Sequence, residues 1–205
     1  MFRETGPAEV PGHSHPVWKL VLPERGGGLL VPPGLRHSCA ASSAFTAVFV
    51  DPWCTGMPPG GRVSHVDARS VRRLLDALGE DMDLVALRGE LSTVLGPAPT
   101  VDPRIAHALR ECGRADRLDG LAARVGLSPS RLRALAREAA GIPLSRLRQW
   151  RRLRWAVRLL PHKPTAEVAA LAGFADQAHL TRTARRLVGR TPGSLRPQRP
   201  QSPCR

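Results

Sequence analysis

Tyrosine is missing from this chain, phenylalanine occurs four times, and lysine stands only at positions 19 and 163. With an aromatic content of 4%, the core has to be built from aliphatic and small side chains. No run approaches the roughly 20 apolar residues of a membrane span, and no basic and apolar leader opens the sequence. A cytoplasmic protein with no membrane partner is therefore expected. The four cysteines, Cys39, Cys54, Cys112 and Cys204, show neither a CxxC pair nor any other zinc-ligand spacing, which argues for unpaired thiols in a reducing compartment. Acidic residues run short in one half only. Residues 103–205 carry 22 Lys/Arg against 6 Asp/Glu, whereas residues 1–102 carry 9 against 11. The net charge of +14 thus belongs to the second half. A compositional preference for arginine explains its use over lysine but not this asymmetry, which points to a polyanionic partner, nucleic acid before membrane.

What is present is a repeat. Leu118–Gly141 reads LDGLAARVGLSPSRLRALAREAAG, and Thr165–Gly189 reads TAEVAALAGFADQAHLTRTARRLVG. Leu121, Ala122, Gly126 and Leu127 match Val168, Ala169, Gly173 and Phe174 at an offset of 47 residues. Leu132, Ala136, Arg137 and Gly141 match Leu180, Ala184, Arg185 and Gly189 at an offset of 48, so the second copy holds one extra residue in its turn. Helix, glycine-containing turn and second helix, given twice, is the pattern of two helix-turn-helix units. Ser128-Pro129 supplies a cap and a helix-starting proline for the second helix of the first copy; Asp176 caps its counterpart, and Thr165 is expected to cap the helix before it. Between the copies a helix is expected over residues 144–160, with Leu147, Leu153, Ala156, Val157 and Leu160 on one face. Such a helix spans roughly 26 Å. With the offsets of its neighbours it can hold two reading helices about one DNA turn, roughly 34 Å, apart.

The first 60 residues are rich in Gly and Pro, with short apolar runs at Val17–Leu22, Leu29–Val31 and Phe45–Val50 that read as strands. Gly26, Pro32, Gly34 and His37 fit the spacing G-x5-P-x-G-x2-H, and His13-Ser14-His15 is an HxH. These resemble the two motifs of the cupin barrel, with imidazoles projecting to one side of a strand. Three inward imidazoles could hold a divalent metal. The carboxylate expected after HxH is replaced by Lys19 and Leu20, and about 60 residues hold too few strands for a closed barrel. Metal binding, contact with a small effector, and no ligand at all are the alternatives for His13, His15 and His37. Residues 61–96 follow as a helical pair, with Val71, Leu74, Leu75 and Leu78 on the first stripe and Leu84, Leu87, Leu91, Val94 and Leu95 on the second. The pair packs on the β-domain or forms a homodimer. Residues 97–102 are a proline-stiffened linker, Asp102-Pro103 starts a new helix, and 197–205 is expected to be a disordered tail.

Gly173–Arg196 reads GFADQAHLTRTARRLVGRTPGSLR. Gly-Phe, a polar turn, Gln-x-His-Leu-x-Arg, a basic pair and Gly-x-Thr-Pro resemble the signature of the AraC/XylS transcription regulators, and the resemblance extends over residues 103–196. It implies an α+β chain, a small cupin-like β-domain followed by an all-α domain with two helix-turn-helix motifs joined by a long helix. It implies a sequence-specific DNA-binding regulator, not an enzyme, that needs no cofactor, with RNA polymerase as a further partner. Base readers carried over are Ser130, Arg131, Arg133 and Ala134 in the first unit, and Gln177, Ala178, Thr181 and Arg182 in the second. Arg pairs with guanine and Gln with adenine. Ser128, Arg137, Arg185 and Arg186 fall at phosphate-contacting positions, and Arg148, Arg151 and Arg152 either join them or form a solvated face. His179 is expected to serve in helix packing or against phosphate. Ala136 and Ala184 stand where the family often has Phe, and Ala134 and Ala178 where relatives carry polar readers. The alternative from another class is a metal-dependent cupin enzyme with a basic nucleic-acid-binding tail.

Overall fold

A computed structural model describes residues 2–58, 61–79, 81, 83–114 and 117–196; the tail expected at 197–205 lies outside the described residues. Seven strands come first among them: β1 (Phe2–Glu4), β2 (Ala8–His13), β3 (Trp18–Pro23), β4 (Gly28–Val31), β5 (His37–Ala41), β6 (Phe45–Val50) and β7 (Ser64–Val66). They form a five-stranded sheet in the order β1-β6-β3-β4-β7 and a separate β2-β5 ribbon, antiparallel throughout. The three expected apolar runs are β3, β4 and β6. The remaining four strands are short or polar, and β7 lies inside the segment expected to be only helical, because Ser64–Val66 pairs with Gly28–Leu30.

β3 is the centre of the sheet, and its alternation sorts the two faces. Trp18, Leu20 and Leu22 are buried on one face with Val48 and Val50 of β6. Helices α1 (Ala68–Leu78) and α2 (Leu84–Leu95) cover that face through Val71, Leu74, Leu78, Leu87 and Leu95. The apolar stripes of the pair are therefore spent on the sheet of their own chain. Each such side chain contributes about 1.5–3 kcal/mol on burial. Lys19, which pairs across to Phe49, falls on the opposite face.

The helical half comprises α3 (Pro103–Glu111), α4 (Leu118–Arg124), α5 (Pro129–Ala140), α6 (Leu144–Leu159), α7 (Thr165–Leu171) and α8 (Gln177–Val188). Asp102 caps α3 as expected, accepting from the Arg104 amide at 2.8 Å, with Pro103 at the first position. Two cores are strung on α6. Its first half gives Leu144 and Leu147 to a core with Ile105, Leu109, Leu121, Leu132 and Ala136. Its second half gives Trp150, Leu153, Ala156 and the following Leu160 to a core with Val168, Leu180, Ala184 and Leu187. Ala136 and Ala184 are fully buried, so the helices here pack on small residues.

The halves are not separated beads. Trp53 and Cys54 enter the first helical core, Val17 and Phe49 enter the second, and Asp51 pairs with Arg151 of α6 at 2.8 Å. The end of α2, just before residues 97–102, is held on Gly56, whose amide donates to the carbonyls of Leu95 at 3.1 Å and Gly96 at 3.2 Å.

Candidate nucleic-acid interface

The second helix of each unit starts on a side-chain cap. Ser128 Oγ accepts from the Arg131 amide at 3.2 Å with Pro129 behind it, and the Asp176 carboxylate accepts from the His179 amide at 2.6 Å. Each cap satisfies a backbone donor that the helix leaves open. Four residues separate α4 from α5 and five separate α7 from α8, which places the extra residue of the second copy in its turn. Thr165 differs from its expected role. Pro164 occupies the cap position, α7 begins at Thr165, and the threonine hydroxyl instead accepts from the Arg196 guanidinium at 3.5 Å.

Burial divides α5 and α8 cleanly. On α5, Leu132, Ala136 and Ala140 are buried, while Ser130, Arg131, Arg133, Ala134 and Arg137 are exposed. On α8, Leu180, Thr183, Ala184 and Leu187 are buried, while Gln177, Ala178, Arg182, Arg185 and Arg186 are exposed and Thr181 is half-buried. Gln177, Ala178, Thr181, Arg182 and Arg185 line one shallow recess. The Thr181 hydroxyl donates to the Gln177 carbonyl at 2.9 Å, which leaves its oxygen lone pairs as acceptors. Among the described residues no ion pair engages Arg131, Arg133, Arg137, Arg182 or Arg185. Arg186 donates to Gln149 Oε1 at 2.7 Å and so is anchored to α6.

Arg148, Arg151 and Arg152 of α6 each have a partner within the chain. Arg148 donates to the Cys112 carbonyl at 3.1 Å, Arg152 to the Gly173 carbonyl at 2.6 Å, and Arg151 holds Asp51 while lying 5.6 Å from the Trp53 ring centre. They are half-buried and brace α6 against the turns and the β-domain. His179 packs edge-on to Phe174 at 5.3 Å, a helix-packing role.

The three histidines come together. His13 ends β2 and is paired with His37, the first residue of β5, across a bulge; His15 lies just beyond β2. Their ring centroids are 4.3 to 5.9 Å apart, and their ligand atoms all lie within 4.8 Å of one another. Each Nδ1 sits against a backbone carbonyl, Pro11 at 2.9 Å, Val17 at 2.7 Å and Leu35 at 3.1 Å. Burial, opposed by those hydrogen bonds, pushes His13 down to about 4 and His15 down to about 3, with the charge of Lys19 adding to the effect, and it lowers His37 as well. Lys19 is itself buried, and burial lowers its ammonium below the usual range. The free thiols are Cys39, Cys54 and Cys112 among the described residues, and burial pushes Cys112 up to about 11.

Sequence reasoning missed the joint between the halves. The Ser14 amide donates to the Arg186 carbonyl at 3.0 Å, Arg146 donates to Ser14 Oγ at 3.3 Å, and Arg190 pairs with Glu4. These partners lie more than 100 positions apart, and no periodicity or spacing announces them. Among the described residues no helix is long and apolar enough to cross a membrane.

A family model described as a helix-turn-helix domain matches residues 121–198. No curated protein matches the sequence. Among solved structures, apo ToxT from Vibrio cholerae aligns at a TM-score of 0.61 and 10% identity over 94% of each chain. ToxT with a bound unsaturated fatty acid aligns at 0.57 and 10% identity, over 95% of this chain and 92% of that one. The carboxy-terminal domain of AraT from Geobacillus stearothermophilus, 21% identical, aligns at 0.44 over 51% of this chain and 93% of that domain. The ToxT likeness extends the shared fold through both halves. The matched helix-turn-helix domain thus lies in the second half of the chain, behind a β-rich amino-terminal part.

Proposed function

We propose that the chain is a sequence-specific transcription regulator in which α5 and α8 enter successive major-groove segments on one side of the duplex. The observation that carries this reading is the pair of exposed helix faces, unpaired in charge, held by a single connecting helix. At 16 residues α6 spans about 24 Å, which with the offsets of α5 and α8 approaches one DNA turn. In this reading Arg131, Arg133 and Arg182 donate to guanine edges, Gln177 addresses adenine, and Ala134 and Ala178 offer apolar contact to thymine methyl groups. Ser128, Arg137, Arg185 and Arg186 hold the phosphates that fix the register. The amino-terminal domain makes DNA binding responsive to an effector, because it packs on both helical cores and not on a free tether. RNA polymerase and a second copy of the chain are the further partners of this cytoplasmic regulator.

The test is competition at fixed salt between a selected site and random duplex. A specific reader wins by about 10³ or more. Equal affinity for both would replace this reading with that of a nucleic-acid-coating protein.

A further inference from the structure

The histidine cluster is built in a way that the DNA interface does not use. All three rings repeat one arrangement: Nδ1 against a main-chain carbonyl that only accepts, so Nδ1 carries the proton and Nε2 carries a lone pair. His15 is fully buried, and the Nε2 atoms of His15 and His37 are buried without any hydrogen-bond partner. A buried, unsatisfied polar atom is costly and calls for an occupant. A backbone carbonyl on the second ring nitrogen is also the outer support that metal-ligating histidines use to fix tautomer and orientation. The rings of Phe49, 5.5 Å from His15, and Trp150, 6.4 Å from it, wall one side with apolar surface.

We propose that His13, His15 and His37 bind a divalent transition-metal ion of the zinc class through their Nε2 atoms, and that this site tightens the joint between the β2-β5 ribbon and the end of α8. Three imidazoles suit zinc, nickel or cobalt and not a hard ion such as magnesium or calcium. No carboxylate or thiolate joins the group among the described residues, so a fourth position is left for water or a small ligand. Lys19 and Arg190 are the nearby cations that the ion has to tolerate; the first has its charged form disfavoured by burial, and the second pairs with Glu4.

The coupling follows from where the ligands sit. Metal–nitrogen bonds of about 2.0–2.1 Å in a tetrahedral site bring the nitrogens to roughly 3.4 Å of one another, whereas here one ring nitrogen of each histidine lies within 4.8 Å of the others. Drawing them in moves His13 and His15 together with Ser14 between them. Ser14 is the residue whose amide meets the Arg186 carbonyl, and Gly189 is packed so tightly that a Cβ there would stand 3.1 Å from His13 Nδ1. Arg186 and Gly189 belong to the carboxy-terminal end of the second reading helix. The metal thus acts on the orientation of that helix, and this regulatory half of the proposal rests on the DNA-binding reading above.

The experiment uses the full chain stripped with chelator and titrated with zinc chloride, with cobalt chloride as a spectroscopic substitute. The expected result is one ion per chain, visible ligand-field bands from cobalt, and higher amide protection at residues 186–190 on loading. His37→Gln, at the half-exposed member of the set, and His15→Ala should weaken zinc binding by more than the roughly 10–100-fold that losing an outer partner costs. Thermal melts of the metal-free variants show whether each is folded, and His37→Gln carries the test if His15→Ala is not. Zinc binding that is absent, or unchanged in folded His37→Gln, overturns the site. Loading that leaves protection at residues 186–190 unchanged overturns the coupling. In the same samples, affinity for a selected DNA site should change by about tenfold, within the usual 5–150-fold of coupled sites. A metal-loaded, protected chain that binds no DNA in either form would instead refute the DNA-binding reading and leave the site standing.

Discussion

Gly189→Ala and Gly126→Ala form a matched pair that separates backbone strain from the packing of the two halves. Gly126 has φ +65° and Gly189 φ +69°, so both hold the left-handed conformation that costs an L-residue about 1–2 kcal/mol. Their surroundings differ. A Cβ at Gly126 meets nothing within 4 Å. A Cβ at Gly189 would stand 2.5 Å from Val10 Cγ1 and 2.8 Å from the Pro11 carbonyl oxygen. The Pro11 contact is to backbone, so the β2 segment has to shift and no single rotamer change relieves it. Overpacking of this kind typically adds about 1–3 kcal/mol. Gly126→Ala should therefore lose about 1–2 kcal/mol and Gly189→Ala about 2–5 kcal/mol, in urea unfolding followed by circular dichroism. The excess should coincide with loss of amide protection at Ser14. Equal destabilisation by the two substitutions would show that β2 is not seated on the end of α8, and the coupling drawn between the histidine cluster and the second reading helix would fall with it.

Other consequences are direct. Arg133→Ala and Arg182→Ala should each cost about 1–3 kcal/mol at one base pair and relax specificity there, read by affinity across single-base variants of a selected site. Arg186→Ala should weaken all sequences alike and reduce the slope of log affinity against log salt by about one; an unchanged slope would assign Arg186 to its bond with Gln149 alone. Leu147→Ala and Leu187→Ala empty fully buried positions in the first and second helical cores, and each should cost about 2–5 kcal/mol in the same unfolding assay. Costs below about 1 kcal/mol would mean that the cores strung on α6 are looser than this packing implies.

The parts that were legible in the sequence are those with local causes. Asp102, Ser128 and Asp176 cap helices because a short polar side chain followed by a helix-forming run is a signal complete within four residues. The repeat offset moved from 47 to 48 because one residue was added in the turn, and the structure places it there. Thr165 shows the limit of such signals: a threonine after Pro164 resembles a cap, but its hydroxyl is used by Arg196 instead. β1, β2, β5 and β7 escaped notice because short, half-exposed strands have no apolar run of their own and exist only through their partners. The partners of Arg148, Arg151 and Arg152 are illegible for the same reason, since the Cys112 carbonyl, Asp51 and the Gly173 carbonyl that hold them lie 21 to 100 positions away. The histidines are legible as a set from their motif spacing, but the tautomers and the orphaned Nε2 atoms depend on carbonyls that only the fold brings to them.

The central claim is that α5 and α8 read two different segments about one turn apart. Selection of bound duplexes from a random library by the full chain tests it most directly. The recovered site should contain two dissimilar boxes with centres roughly 10–10.5 base pairs apart, and Arg182→Ala should blur only the box read by α8. Recovery of no motif, or of a single box that Arg133→Ala and Arg182→Ala affect alike, would contradict it.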